Sequence, residues 1–192
     1  LHGVFRRQRQ MCIRDRHASA AQLAKAAGAQ ALLIPNASPF HMNKEATRVD
    51  IVRSRIAETG LPVAYVNLVG GQDELIFDGG SFVLDDEGQM VARMPQFAEG
   101  YAIVDFEDGR PLRGEIAQAD SLEAQVYAAL VLGVRDYIGK NGFPGAIIGL
   151  SGGVDSALVL AIACDALGAD RVRAVMMPSR YTADISTSDA AE

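Results

Sequence analysis

Ala146-Ile147-Ile148-Gly149-Leu150-Ser151-Gly152-Gly153-Val154-Asp155-Ser156 is the stretch on which the reading of the chain turns. Residues 146–150 are a short apolar run that reads as a buried strand. Residues 155–167 are apolar and long enough for a helix, and residues 172–177 read as the next strand. Strand, helix and strand in this order make a βαβ unit, hence a parallel sheet with a right-handed crossover. The Ser-Gly-Gly link lies where such units bind anions. Its glycines let the backbone approach a ligand closely, while the free N–H groups and dipole of the following helix favour phosphate. Ser151 and Ser156 can add hydroxyl donors. No lysine follows Gly153, so this is not a Walker A loop, nor is it the Gly-x-Gly-x-x-Gly of dinucleotide-binding folds. A bare carboxylate at Asp155 would repel phosphate, so a Mg²⁺ bridging Asp155 and a nucleotide is the economical reading. The plainer alternative is a tight turn in which Asp155 only caps the helix.

Upstream, Ser121 reads as the N-cap of a helix carrying Leu122, Val126, Leu130 and Val134 on one face, with Gly139 or Gly142 as its stop. Residues 107–120 hold four acids, Pro111 and two glycines without apolar period, and read as a linker. Before it the α/β rhythm returns. A helix over 18–27 stopped by Gly28 is followed by a strand over 31–34, a turn over 36–40, a helix over 45–58 closed by Gly60 and a strand over 62–67. A hairpin over 81–93 and a strand over 101–106 complete the first half. The organisation expected is a non-native leader at 1–16, a first α/β part at 17–106, the linker at 107–120 and a second part at 121–192.

At 192 residues, 49% hydrophobic and 22% charged, the chain can bury a core, and disordered or collagen-like structure is excluded. No apolar run approaches the roughly 20 residues that span a bilayer. The two cysteines, Cys12 and Cys164, are too few for a disulfide framework, and no signal-peptide pattern opens the chain. A cytoplasmic location is expected, with no membrane and no nucleic acid as partner. Net charge is −6, yet residues 1–16 hold five arginines against one acid, Asp15. With no lysine, no helical period and no aromatic beyond Phe5, this arm is a poor nucleic-acid tail. Met11-Cys12-Ile13-Arg14-Asp15-Arg16 resembles the translated end of a sequencing adapter, and the chain is expected to be a fragment open at both ends.

Ser-Gly-Gly-x-Asp-Ser resembles the loop of the ATP pyrophosphatase family, whose members adenylate a carboxyl or carbonyl oxygen and release pyrophosphate. With Met177-Pro178-Ser179-Arg180-Tyr181-Thr182-Ala183-Asp184-Ile185-Ser186 after the next strand, the second part resembles the NAD synthetases. Asn36-Ala37-Ser38-Pro39-Phe40-His41 and Val69-Gly70-Gly71-Gln72-Asp73-Glu74-Leu75-Ile76-Phe77-Asp78-Gly79 are similar to the nitrilase-type glutaminase domain of the glutamine-dependent members. The fold the resemblance implies is a partial nitrilase-type α/β sandwich followed by the start of a doubly wound parallel α/β nucleotide-binding domain. The activity it implies is hydrolysis of glutamine to ammonia in the first part. The second part adenylates deamido-NAD with ATP and Mg²⁺, and ammonia then displaces AMP.

Carried over by position, Ser38 and Lys44 bind glutamine, while Gly149, Leu150, Ser151, Gly152, Gly153, Val154, Asp155 and Ser156 bind ATP, Asp155 also holding Mg²⁺. Without the resemblance, Ser38 is a turn residue before Pro39 and Lys44 a solvated first-turn lysine. The family's nucleophile is a cysteine thiolate. Cys12 falls about where it belongs, but the family continues Glu-Asp-x-Trp where this chain has Ile13-Arg14-Asp15-Arg16. If Cys12 is native, the adjacent arginines lower its pKa; if the hexapeptide is adapter-derived, the nucleophile is lost, and this second reading is preferred. The glutamate and lysine partners are absent on either reading, so the fragment itself is expected to be inactive. Cys164 is expected to be a packed core thiol. The full-length enzyme is expected to be a homo-oligomer using deamido-NAD, ATP, and glutamine or ammonia. Two rivals stand beside this reading: another ATP-pyrophosphatase-family amidotransferase with a different acceptor, and a non-catalytic nucleotide-binding module.

Overall fold

The computed structural model describes residues 19–177; Cys12, the leader at 1–16 and the motif at 178–186 lie outside the described residues. The chain opens on α1 (Ala20–Ala26), capped by a box in which Ser19 and Gln22 exchange side-chain and backbone hydrogen bonds. There follow β1 (Leu32–Asn36), α2 (Lys44–Thr59), β2 (Val63–Asn67), the hairpin of β3 (Val69–Gln72) and β4 (Leu75–Asp78), then β5 (Phe82–Leu84) and β6 (Met90–Arg93). A two-residue pair, β7 (Phe106–Glu107) and β8 (Arg110–Pro111), precedes α3 (Leu122–Lys140), β9 (Ala146–Leu150), α4 (Val154–Leu167) and β10 (Val172–Met176).

The main sheet has the order β1-β2-β5-β6. β1 and β2 run parallel, with α2 as their crossover, and the remaining pairs are antiparallel. One face of β2 and β5 packs beneath α2. Val49, Val52 and Ile56, at helical spacing, meet Val63, Tyr65, Phe82 and Leu84 at strand spacing, with Tyr65 and Phe82 stacked at 5.0 Å between ring centroids. Because β1 and β2 are parallel, both deliver their last residues, Asn36 and Asn67, to the same end of the sheet. That end is where open α/β sheets place ligands. The second part is a parallel pair, β9 and β10, joined by α4, as the apolar runs predict. Helix α3 packs on α4, with the Tyr127 hydroxyl donating to Asp165 at 2.6 Å.

Two local expectations change. Residues 101–106 alternate as a strand should, but Tyr101 and Ile103 stand exposed and only Phe106 pairs, with Pro111. Alternation without a neighbouring strand forms no ladder. Residues 69–78, to which the sequence reading assigns no element, form the β3–β4 ribbon turned through Asp73 at φ +50°. Residues 107–120 hold the β7–β8 pair, and Glu115 and Ala117 bond to Arg93 on β6. Helix α3 ends at Lys140, capped by Asn141 and turned by Gly142, the second of the two glycines proposed as its stop.

Candidate glutamine and phosphate sites

The Ser38 turn is built at the carboxyl ends of β1 and β2, and its determinants come from five places in the chain. Ser38 N–H donates to Asn67 Oδ1 at 2.9 Å, and the Ser38 carbonyl accepts from Asn67 Nδ2 at 3.3 Å. From α2, Arg48 reaches beneath the same turn. Its Nη2 donates to the Ser38 and Pro39 carbonyls at 2.8 and 3.1 Å, and its Nε to Ser38 Oγ at 3.1 Å. The guanidinium is charged and 6% exposed, so it needs a counterion, and Asp78 at the end of β4 supplies one. The pair is bidentate, Nη1 to Oδ2 at 2.7 Å and Nη2 to Oδ1 at 2.8 Å. Gln96 Nε2 donates to Asp78 Oδ2 at 3.0 Å. The next two residues fix where Asp78 stands: Gly79 and Gly80 both sit in the left-handed region, where the chain turns sharply into β5. A Cβ at Gly79 would stand 2.5 Å from Val69 Cγ2.

These bonds satisfy the backbone of Ser38 and one acceptor side of its hydroxyl. No acceptor for the hydroxyl proton is found among the described residues. Lys44, the first residue of α2, donates from Nζ to the Pro39 carbonyl at 3.2 Å, which sets its ammonium on the same turn. Burial, then the neighbouring Arg48, pull the Lys44 pKa below the usual lysine value, and Asp78 opposes them. The structure therefore brings Lys44 onto the turn that carries Ser38. A hydroxyl donor beside an ammonium suits a carboxylate or an amide oxygen. From the sequence Arg48, Asn67 and Gln96 have no site role, and Asp78 stands there only as one letter of the 69–79 string. The signal available for Arg48 is a charged residue adjoining the apolar stripe of α2.

In the second part, Gly152 takes φ +78° and Gly153 is the N-cap of α4, so Ser151-Gly152-Gly153 folds back over the helix's first turn. Ser156 Oγ donates to the Gly153 carbonyl at 2.8 Å, accepts from Ser151 N–H at 3.2 Å and lies 3.0 Å from Ser151 Oγ. The two hydroxyls expected to face phosphate are thus turned toward each other, and Ser156 fastens the loop to its helix. Asp155 stands exposed in the first turn and makes no hydrogen bond or ion pair among the described residues. Among the described residues no group of three or more His, Cys, Asp or Glu side chains could hold a metal. One free carboxylate beside a phosphate cradle is, however, the donor set Mg²⁺ takes when nucleotide phosphates and water complete its shell. Cys164 lies half-buried in α4 with a free thiol. No helix among the described residues is long and apolar enough to cross a membrane.

Comparison with known proteins finds two family patterns along the chain. The pattern of the carbon-nitrogen hydrolase family matches residues 4–113, more than half of the chain, and that of NAD synthase matches residues 126–192. The glutamine-dependent NAD(+) synthetase of Rhodobacter capsulatus is 47% identical over 180 residues, covering 92% of this chain and 33% of its own length. That of Xylella fastidiosa (strain Temecula1 / ATCC 700964) is 48% identical over 169 residues, covering 86% and 31%. The solved glutamine-dependent NAD+ synthetase of Acinetobacter baumannii, in complex with adenosine diphosphate, superposes with a TM-score of 0.83 at 44% identity, covering 88% of this chain and 33% of that one. The chain spans about a third of the length of these relatives. The sheet with its α2 crossover and the strand–helix unit behind it thus have their counterparts in one kind of protein, and the chain belongs to the carbon-nitrogen hydrolase family, continuing into a segment of the NAD synthase type.

Proposed function

We propose that this chain is the junction segment of a glutamine-dependent NAD synthetase, with its boundaries near 17–106 for the glutaminase part and 121–192 for the start of the synthetase part. The observation that carries the reading is the pairing, on one chain and in this order, of a braced Ser38–Lys44 turn with a Ser-Gly-Gly-x-Asp-Ser loop on a βαβ unit. Ser38 and Lys44 hold the amino-acid end of glutamine, and a cysteine thiolate attacks its side-chain amide, releasing ammonia. In the second part the nicotinate carboxylate of deamido-NAD attacks the α-phosphorus of ATP, and pyrophosphate leaves. Ammonia then adds to the acyl carbon, and AMP leaves in place of a carboxylate oxygen that could not.

Each residue of the loop has a role in this scheme. Gly152 and Gly153 bring backbone N–H groups to the phosphates, and the α4 dipole favours their charge. Ser151 donates its hydroxyl once ligand oxygens compete with Ser156 for it, and Ser156 keeps the loop folded. Asp155 would hold Mg²⁺, which would supply positive charge beside the ATP phosphates. The enzyme works on small molecules in the cytoplasm, as a homo-oligomer.

The test is to assay the full-length protein for AMP and NAD formation that depends on deamido-NAD. Asp155→Ala should abolish AMP formation while glutamine hydrolysis partly survives. AMP formation that persists at the unsubstituted rate would refute the metal assignment, and no dependence on deamido-NAD would refute the reading as a whole.

A further inference from the structure

The two parts meet where α3 lies against the β3–β4 hairpin. Asp136 Oδ2 accepts the Gly71 N–H at 2.7 Å, and Lys140, one helical turn on, donates from Nζ to the Gly71 carbonyl at 2.5 Å while pairing with Asp136 at 3.2 Å. Both polar groups of Gly71 in β3 are thus held by a single ion pair on a helix of the other part. Gly133 adds close packing: a Cβ there would come within 2.8 Å of Ile76 Cδ1. Gly71 is paired with Ile76 across the hairpin. The Ile76 carbonyl in turn accepts the Phe40 N–H at 2.6 Å, two residues beyond Ser38. Two residues after Ile76 comes Asp78, the counterion that keeps Arg48 beneath the Ser38 turn. The hairpin therefore touches α3 on one side and fastens the Ser38 turn at two points on the other.

We infer that Asp136, with Lys140 and Gly133, is a positioning element for the glutamine-binding turn, acting from the nucleotide-binding part through the β3–β4 hairpin. The inference rests on the reading of Ser38 and Lys44 as glutamine-binding. Asp136 touches no ligand; it fixes where Ile76 and Asp78 stand, and they fix the turn. Coupling of this kind travels through packed, hydrogen-bonded contacts, and it demands evidence that the far end responds.

The experiment uses the full-length enzyme with three substitutions. Asp136→Ala removes the acceptor for Gly71 N–H, Asp136→Asn keeps one, and Gly133→Ala pushes on Ile76 without touching any charge. Expected are a rise in the KM for glutamine of about three- to tenfold in Asp136→Ala, the order of a charge-assisted hydrogen bond partly passed on, and partial recovery in Asp136→Asn. Gly133→Ala should shift KM in the same direction. Amide exchange at Ser38 and Phe40 should quicken in Asp136→Ala, and the KM for ammonia, measured on the same preparations, should stay below any comparable rise. An unchanged KM for glutamine, unchanged exchange at both amides, or an equal rise in the KM for ammonia overturns the inference. If the unsubstituted enzyme shows no glutamine-dependent synthesis, the functional reading fails instead, and exchange at Ser38 and Phe40 still decides whether α3 braces the turn.

Discussion

Asp78→Asn is the sharpest perturbation the fold offers. The substitution is isosteric, so any loss reports charge and hydrogen bonding and not volume. Asp78 is 1% exposed and Arg48 6%, so neither can turn to solvent. With charge centres roughly 4 Å apart and an effective dielectric of about 20, the attraction is worth about 4 kcal/mol. Removing one partner of a buried pair typically costs about 3–5 kcal/mol, because the other charge stays buried and unpaired. The amide retains one oxygen for an Arg48 N–H, returning roughly 1 kcal/mol, so a net loss of about 3 kcal/mol is expected. At a urea m-value of about 2 kcal/mol/M this lowers the unfolding midpoint by roughly 1.5 M with m unchanged. A midpoint within about 0.3 M of the unsubstituted protein would refute the claim that this pair holds the turn.

Two further outcomes concern the neighbouring residues. Gly79→Ala combines a left-handed φ of +66° with a Cβ 2.5 Å from Val69, so urea unfolding should show a loss above the roughly 1 kcal/mol of conformational strain alone; a loss under that figure would mean the turn after Asp78 adapts freely. Burial pushes the Asp136 carboxyl up, but the Gly71 N–H, Lys140 and Arg135 pull harder, so its pKa stands below the ordinary 3.8. The unfolded chain then binds more protons between those two values, and the Asp136 contribution to stability is complete above 3.8 and lost as pH falls through the folded value. The stability difference between the unsubstituted protein and Asp136→Asn should be flat above about pH 5 and shrink below about pH 4; a difference that grows on acidification contradicts this.

The sequence disclosed most where the physics is local. The strand at Ala146–Leu150, the helix at Val154–Leu167 and the glycine link between them are each set by a few contiguous residues, and the structure keeps all three. Helix α2 was legible for a related reason: Val49, Val52 and Ile56 repeat at the period of one helical face, and Gly60 closes it in the left-handed conformation. The misses are of the opposite kind. Residues 101–106 have the right alternation, but strand formation depends on a neighbour that alternation does not encode. The β3–β4 hairpin, whose Gly70, Gly71 and Asp73 carry no strand signal, is stabilised by its ladder and by α3, about sixty residues away.

The same distinction separates the two candidate sites. The proposed phosphate loop lies within eight consecutive residues, so a motif can name all of it, and only the turn of Ser151 and Ser156 toward each other is not legible there. The Ser38 turn carries almost none of its own. Its backbone is satisfied by Asn67, its hydroxyl is oriented by Arg48, and Arg48 is tolerable in the interior only because Asp78 is there, thirty residues on. A motif string names Ser38 and Asp78 separately and is silent on the guanidinium that joins them. The consequence runs beyond this chain's own two sites. When a binding turn is assembled from distant polar groups, each group is a place where another part of the protein can act on it. Helix α3 reaches one such place, the Gly71 backbone, through the Asp136–Lys140 ion pair.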